Sequence, residues 1–279
     1  MRRVGRFLQA FYKKAYTENI TGLSGMVAYT MLLSLFPLAL LALFIASRVL
    51  QSHDLQVSVL RDLTRLFPST TESTITGTLN RVERSSTSLG IFALITSIWF
   101  GSSFWGALDT AFCQIYHVKC RSWVQQKRFA LVMLVVVLAF MAATVLVPAA
   151  QSVLVKGTQK LPFGLDNVQG LVFAVTLAAT LVVLFAILCV IYWSVPNRFV
   201  PWHAIWPGAA LATIAIGVVD YAFPLYLSTA STFAKLGTVL VFVVIVLLWF
   251  YTLAIILLGG AIVNALRFEL HETGELKLE

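Results

Sequence analysis

The sequence has few charged residues. Only 11% of its 279 residues are charged and 59% are hydrophobic, whereas about a quarter of the residues in a soluble domain are charged. A chain so poor in charge cannot cover its apolar surface with polar groups in water. The composition therefore argues against a soluble globular domain and predicts that the lipid bilayer is the solvent.

Cysteine, histidine and enzyme motifs are also scarce. Cys113, Cys120 and Cys189 form no disulfide framework, and their spacing matches no zinc signature. The four histidines are spread over different predicted loops, without metal-ligand spacing to carboxylates. The sequence has no phosphate-binding loop, dinucleotide fingerprint or nucleophile elbow. We therefore expect no catalytic residue, metal site or cofactor, and interpret the chain as a non-enzyme.

Long runs without charge are what the sequence does have. Six of them can each hold a helix of about 20 residues, the length that crosses a bilayer. The predicted spans are approximately 26–48, 89–111, 129–151, 171–193, 204–226 and 238–266. The pattern predicts one all-α membrane domain. Around the spans we expect a cytoplasmic amphipathic segment (1–22), an extracytoplasmic loop with two short amphipathic helices (49–88) and a cytoplasmic tail (267–279).

The distribution of Lys and Arg predicts the orientation. With six spans, twelve of the 20 basic residues lie on the face that carries both termini, and eight lie on the other. Cytoplasmic loops carry the excess of Lys and Arg, so we expect a multi-pass protein of the bacterial inner membrane with both termini cytoplasmic. This accounts for the net charge of +8 without nucleic acid. Membrane lipids are the expected partners, and no oligomeric state is indicated.

An amphipathic pattern precedes the first span. Val4, Phe7, Leu8, Phe11 and Ala15 recur every three to four residues, with basic residues between them. Such a helix can lie on the cytoplasmic leaflet with its basic groups near anionic headgroups. Alternatively, it is the first helix of the bundle, extended into water.

Four ionisable residues lie within or near the spans, where charge is costly. Asp220 has apolar neighbours on both sides, and Lys235 and Arg48 are predicted in the same outer half. These three either form a polar path or gate, or make a structural ion pair. Arg48, Lys235 and Asp109 are also close enough to span ends to reach the headgroups.

Proline and glycine mark candidate bends and close contacts. Pro37 in the first span removes a helical hydrogen bond and predicts a kink or hinge, with Ser34 available to bond a freed carbonyl. Small residues, among them Gly101 and Gly106 in the second span and Gly259 in the last, predict close helix packing.

The segment SVPNRFVPWHAIWPGA, residues 194–209, connects the fourth and fifth spans. Pro196 ends one helix, and Pro207 is tolerated in the first turn of the next. The segment either fixes the angle between the two helices or, through Arg198, also meets an anionic substrate at the inner mouth.

Four segments together resemble the BrkB/YihY family of bacterial inner-membrane proteins, once labelled ribonuclease BN. They are AYTMLLSLFPL with Tyr29, Ser34 and Pro37; Leu89 to Val118; VPNRFVPWHAIWPGA with Pro196, Asn197, Pro207 and Gly208; and LLWFYTLAIILLGGAI with Trp249 and Gly259. The resemblance implies six membrane helices, and transport of lipid-like or anionic molecules has been proposed for the family. Ala261 departs from the family, which commonly has an acid there.

Three functional hypotheses follow. The leading one is a transporter or flippase-like exporter of an anionic or lipid-like substrate. The second, a non-catalytic membrane scaffold, predicts that Asp220→Asn leaves function intact while packing changes at Gly101 or Gly106 abolish it. The third, a membrane-associated ribonuclease, requires metal-dependent RNA cleavage that is lost when an acid or histidine is replaced.

Overall fold

The computed structural model describes residues 2–48, 87–133, 135–136, 169–229 and 239–273. Three sequence predictions lie outside these residues: the short amphipathic helices of the first loop, Lys235, and the third span beyond residue 136. The side chains of Pro37 and Arg48 also lie outside the described part. All structural statements below concern the described residues.

The described residues form seven α-helices and contain no β-strand. The helices are α1 (Arg2–Thr17), α2 (Ile20–Arg48), α3 (Thr87–Tyr116), α4 (residues 123–133), α5 (Gln169–Ser194), α6 (Trp202–Thr229) and α7 (Val239–Thr273). Segments of α5, α6 and α7, at Leu177–Ser194, Trp202–Asp220 and Val243–His271, are long and apolar enough to cross a bilayer. The all-α prediction agrees with this structure, while the number of six spans stays a prediction.

Helix α7 is the central element of the bundle, in contact with α1, α2, α3 and α6. Its buried face is rich in alanine, with Ala254, Ala261 and Ala265 almost completely inaccessible. Small side chains let neighbouring helices approach closely, and such approach is a main source of packing energy between membrane helices. Ala261, the position of the family's acid, therefore lies in a close helix contact.

The tightest helix contact joins α5, α6 and α7. A Cβ atom on Gly208 would collide with Asn264 and the Gly260 carbonyl, and one on Gly260 would collide with the Tyr192 hydroxyl. The Gly208 amide donates to Asn264 Oδ1 at 2.8 Å, and Tyr192 Oη donates to the Leu257 carbonyl at 2.8 Å. These glycines are thus required by the separation of the helix backbones.

The small residues of α3 behave differently. A Cβ atom on Gly101 would meet nothing within 4 Å, whereas one on Gly106 would lie 3.2 Å from the Gln126 side chain. Gly259 faces Phe11 at 3.8 Å from its virtual Cβ. Close packing therefore requires glycine at positions 208 and 260, and requires it less at Gly101 and Gly106 of α3.

Helix α1 packs on the bundle through one of its faces. Ala10 is buried, Phe7, Phe11 and Ala15 contact the core, and Lys14 forms an ion pair with Glu269 of α7. A second stripe, made of Leu8, Tyr12 and Tyr16, is exposed. The helix therefore packs against the bundle and still presents an apolar face that suits a membrane surface.

Helix α2 continues through Pro37 without interruption. The Ser34 hydroxyl donates to the Met31 carbonyl at 2.9 Å. It does not bind the Leu33 carbonyl, which is the one that loses its helical hydrogen bond because a proline at position 37 has no amide hydrogen. Ser34 thus binds its own preceding turn, which is the common arrangement for serine in a helix.

Candidate functional site at the basic end of the bundle

One end of the bundle brings together α1 and the turn that follows it, the ends of α3, α5 and α7, and the starts of α4 and α6. His117 Nε2 lies 2.6 Å from Glu18 Oε1, and the rings of His203 and His271 lie 4.5 Å apart. We call this end, formed by residues 2–20, 114–128, 194–206 and 264–273, the basic end. It holds eleven Lys and Arg but only three Glu and no Asp.

A buried ion pair organises the basic end. Asp109 in α3 is completely buried, and its Oδ1 accepts from Arg121 Nη1 at 2.5 Å. The Arg121 backbone amide donates to the other carboxylate oxygen at 3.3 Å. The carboxylate therefore holds both the side chain and the backbone of the loop between α3 and α4.

The same guanidinium caps helix α5. Arg121 Nη1 donates to the Val195 carbonyl at 2.6 Å, and Nη2 donates to the Ser194 carbonyl at 2.9 Å. The last carbonyls of a helix have no partner within the helix and carry its negative dipole end. Arg121 thus neutralises the Asp109 carboxylate and donates hydrogen bonds to the last carbonyls of α5. It thereby connects α3, the loop between α3 and α4, and the end of α5. We call this arrangement the Asp109–Arg121 clasp.

Sequence reasoning placed Asp109 within reach of the headgroups, but the structure places its carboxylate inside the protein. Arg121 is one of the twelve basic residues predicted on the cytoplasmic face. Asp109 and Arg121 are twelve positions apart, and the loop that contains Arg121 folds back onto the helix that contains Asp109. Hydrophobic periodicity does not predict such a contact, because the loop has no repeating pattern. An acid near a helix end followed by an arginine in the next short loop is the one clue that the sequence offered.

A pocket of about 390 Å³ opens beside the clasp and is lined by Arg121, Gln125, Arg128, Phe129, Val132 and Asn197. The four lining residues of α4 stand at positions i, i+3, i+4 and i+7 from Gln125, so they form one face of that helix. Gln125 also caps α4, because its Oε1 accepts from the Ser122 amide at 3.2 Å. The pocket therefore lies between one face of α4 and the connection from α5 to α6.

The pocket lining has a positive charge and several donors. It includes two arginines and no Asp, Glu or His. Arg121 is held by the clasp and lies over the Phe129 ring, with 4.2 Å between the guanidinium carbon and the ring centre. Arg128 is exposed and makes no hydrogen bond or ion pair with the described residues. Its charge is available to a ligand.

The connection from α5 to α6 contributes Asn197 to this pocket. Asn197 Nδ2 donates to the Lys119 carbonyl at 3.0 Å, which fixes the side chain against the loop before α4. Arg198 instead lies over the Phe268 ring of α7 at 4.6 Å. Pro196 is buried. The proline-rich segment thus supplies a polar group to the pocket, and that group is Asn197 rather than Arg198.

Asp109, Cys113 and Cys120 form a second cluster beside the basic end. Their potential ligand atoms lie within 4.8 Å of one another. Cysteine spacing did not reveal this group, because the loop after α3 folds Cys120 back towards the helix. The Arg121 guanidinium already occupies the Asp109 carboxylate, and its positive charge opposes a cation there. The donor set therefore fits a structural ion pair better than a metal site.

The remaining predicted residues do not converge on the pocket. Asp220 is exposed on α6, Tyr29 is exposed on α2, and Arg48 is the last residue of α2. Trp249 of α7 contacts Phe223 of α6, with ring centres 4.4 Å apart. The suggested pairing of Asp220 with Lys235 or Arg48 stays a prediction, because neither partner side chain belongs to the described part.

A chain whose described part is helical, with long apolar helices and a basic end rimmed by exposed tryptophans, is a membrane protein. Its family is shown by a family model described as virulence factor BrkB, which matches residues 11–277. The chain belongs to this family, as the resemblance in the sequence had indicated.

Individual relatives are distant. The chain is 25% identical to the putative ribonuclease-like protein YfkH of Bacillus subtilis, over 93% of this chain and 94% of that protein. It is 27% identical to a UPF0761 membrane protein of Janthinobacterium and 26% identical to one of Chromobacterium violaceum. These matches cover 89% and 88% of this chain but only 56% and 57% of the two relatives. No solved structure matches the chain.

Proposed function

We propose that this protein is a six-span transporter or flippase-like exporter of an anionic or lipid-like substrate in the bacterial inner membrane. The observation that carries the proposal is the pocket at the basic end. It combines Arg128, which has no partner among the described residues, with Val132, which is 56% exposed and continues into the apolar outer surface of α4. A site with a cationic rim and an apolar wall suits a substrate that is itself partly charged and partly apolar.

The proposed orientation puts the basic end in the cytoplasm. Its eleven Lys and Arg agree with the excess of positive charge found in cytoplasmic loops. Exposed aromatic side chains surround the same end: Tyr12, Tyr16, Trp123, Trp193, Phe199, Trp202 and Trp206. Tyr and Trp favour the headgroup region, so this rim suits the boundary between membrane and cytoplasm. Anionic substrate would then enter from the cytoplasmic leaflet.

Ribonuclease activity, which the name of the Bacillus subtilis relative suggests, has less support from the residues of this site. General acid–base hydrolysis of RNA needs a group that accepts and returns a proton. The pocket lining offers two arginines, two amides and two apolar side chains. Asp109, whose carboxylate binds Arg121 of the lining, is buried and held by that arginine. Transport therefore accounts for the pocket better than RNA cleavage does.

Reconstitution into liposomes tests the proposal. Purified protein is placed in vesicles that contain trace phosphatidylglycerol with a fluorescent headgroup-proximal label, and dithionite is added outside to quench accessible label. We expect the protected fraction to fall well below the half that protein-free vesicles retain. A phosphatidylcholine carrying the same label should cross more slowly. If neither lipid, nor a labelled soluble organic anion, crosses faster than in protein-free vesicles, the proposal is wrong.

A further inference from the structure

We infer that the pocket between α4 and the α5–α6 connection binds the phosphate of an anionic phospholipid, with Arg128 as its main cationic ligand. The inference names the substrate class of the proposed transporter. Only one part of it rests on the proposed function, namely that the bound lipid is the molecule that is transported. Binding itself is a separate property of the pocket and is tested separately below.

The polar groups of the pocket match a phosphate. Arg128 offers the guanidinium fork that suits phosphate oxygens. Gln125 uses its Oε1 on the Ser122 amide, so its amide donors remain available. Asn197 spends one donor on the Lys119 carbonyl and retains another. With no acid in the lining, an anion meets several donors and no like charge.

Arg121 has a positioning role. Its Nη atoms bind Asp109 and the Ser194 and Val195 carbonyls, so its charge is already compensated. It orients the Phe129 ring beneath its guanidinium and fixes the end of α5, from which the segment with Asn197 leaves. The clasp thereby holds two walls of the pocket in place, while Arg128 supplies the net charge that recognises the ligand.

The apolar side of the pocket favours a lipid over a soluble phosphate. Phe129 and Val132 lie one turn further along α4 than Gln125 and Arg128, in the direction of the predicted span. Leu131, Val132 and Val135 are all exposed, so the pocket wall continues into an apolar surface that suits acyl chains. A phospholipid could place its phosphate at Arg128 and its chains along this surface.

Lipid binding to the full-length protein tests the inference. Native mass spectrometry in neutral detergent would compare phosphatidylglycerol with phosphatidylcholine of identical chains. We expect phosphatidylglycerol to bind more tightly, and Arg128→Gln to weaken its binding about tenfold, as the loss of one charge-assisted contact does. The preference should shrink as salt concentration rises, because the pocket is open to solvent.

Arg267→Gln is the matched control. Arg267 is also an exposed arginine of the basic end without a partner among the described residues, but it does not line the pocket. Its replacement should change phosphatidylglycerol binding by less than about twofold, whereas the Arg128 contact is worth about tenfold. Equal losses in the two variants, or equal binding of the two lipids by the wild type, would overturn the inference.

A third variant separates lipid from free phosphate. Val132→Phe narrows the apolar side at an exposed position and leaves the donors in place. It should reduce phosphatidylglycerol binding without changing the weak binding of glycerol phosphate or inorganic phosphate. If inorganic phosphate binds the wild type as tightly as the lipid does, the site is a phosphate site and the lipid assignment is wrong. The melting temperature of each variant verifies folding.

The two proposals fail in different ways. If Arg128→Gln loses phosphatidylglycerol binding but the wild type moves no lipid or anion across liposomes, the headgroup site stands and transport is wrong. If the wild type transports lipid and Arg128→Gln binds and transports as well as the wild type, transport stands and the headgroup site is wrong.

Discussion

At the residue scale, the clasp explains how a carboxylate can be buried in a chain so poor in charge. Desolvating an ion pair costs several kcal/mol per ion, and this cost is offset only when the geometry is good and the remaining polar atoms are satisfied. Asp109 accepts two hydrogen bonds, and Arg121 also donates to two helix-end carbonyls. The pair is therefore a structural centre, and each partner depends on the other.

Removing either partner should destabilise the protein, and removing both should cost less than the sum of the two single losses. Asp109→Asn or Arg121→Gln alone leaves an uncompensated buried charge, with an expected loss of about 3–5 kcal/mol. The double variant should lose clearly less than the sum of the single losses, because the two residues are directly coupled. Unfolding of all three variants in detergent, with exposed Lys119→Gln as the control, measures this coupling. Additive losses would contradict the clasp.

The glycines of α6 and α7 permit a second test at this scale. Gly260→Ala would push its new methyl group against Tyr192 and the Gly208 carbonyl. Overpacking of this kind costs about 1–3 kcal/mol. Gly25→Ala is the control, since nothing lies within 4 Å of its virtual Cβ, and alanine favours helix. Thermal unfolding should show a loss for Gly260→Ala only, and equal stability of the two variants would contradict the described packing.

At the element scale, the helices were largely predictable and their contacts were not. Apolar runs near 171–193, 204–226 and 238–266 form α5, α6 and α7, because any such run in lipid must satisfy its backbone internally. Helix α7 extends further, to Thr273, since Phe268 is buried and Glu269 pairs with Lys14. Hydropathy cannot predict such an extension, because it results from contact with another segment.

The pocket, like the extension of α7, could not be predicted from hydropathy. Its lining comes from residues 121–132 and from Asn197, two segments far apart in the chain. The sequence indicated that the α5–α6 connection was unusual, because three prolines and two tryptophans fall within sixteen residues. The sequence suggested Arg198 as the residue that meets an anionic substrate, but its guanidinium lies over Phe268 and it does not line the pocket. Only the packing of α4 beside the connection identifies Asn197 and Arg128 as neighbours of one cavity.

The attachment of α1 to α7 gives a prediction for a whole element. Lys14→Glu places two carboxylates together at the contact with Glu269 and should destabilise the protein by about 1 kcal/mol. The exchange Lys14→Glu with Glu269→Lys should restore much of that loss. Arg6→Glu, at an exposed position of the same helix, is the control for charge alone. Unfolding in detergent provides the comparison, and a swap no more stable than the single variant would contradict the pairing.

At the scale of the whole molecule, the cysteines test the orientation. Cys120 is exposed at the basic end, whereas Cys113 and Cys189 are buried. A maleimide that cannot cross membranes should label inverted vesicles but not intact spheroplasts, and Cys120→Ser should abolish the signal. Labelling of spheroplasts at Cys120 would place the basic end outside the cytoplasm and contradict the proposed topology.

The central claim for the whole molecule is that the basic end receives an anionic lipid on its way across the membrane. Oriented proteoliposomes, with orientation verified by Cys120 labelling, allow lipid movement to be timed for wild type, Arg128→Gln and Arg267→Gln. The account predicts faster crossing of phosphatidylglycerol than of phosphatidylcholine, a loss of about tenfold in Arg128→Gln, and a rate close to wild type in Arg267→Gln. Wild-type crossing no faster than in protein-free vesicles would contradict it.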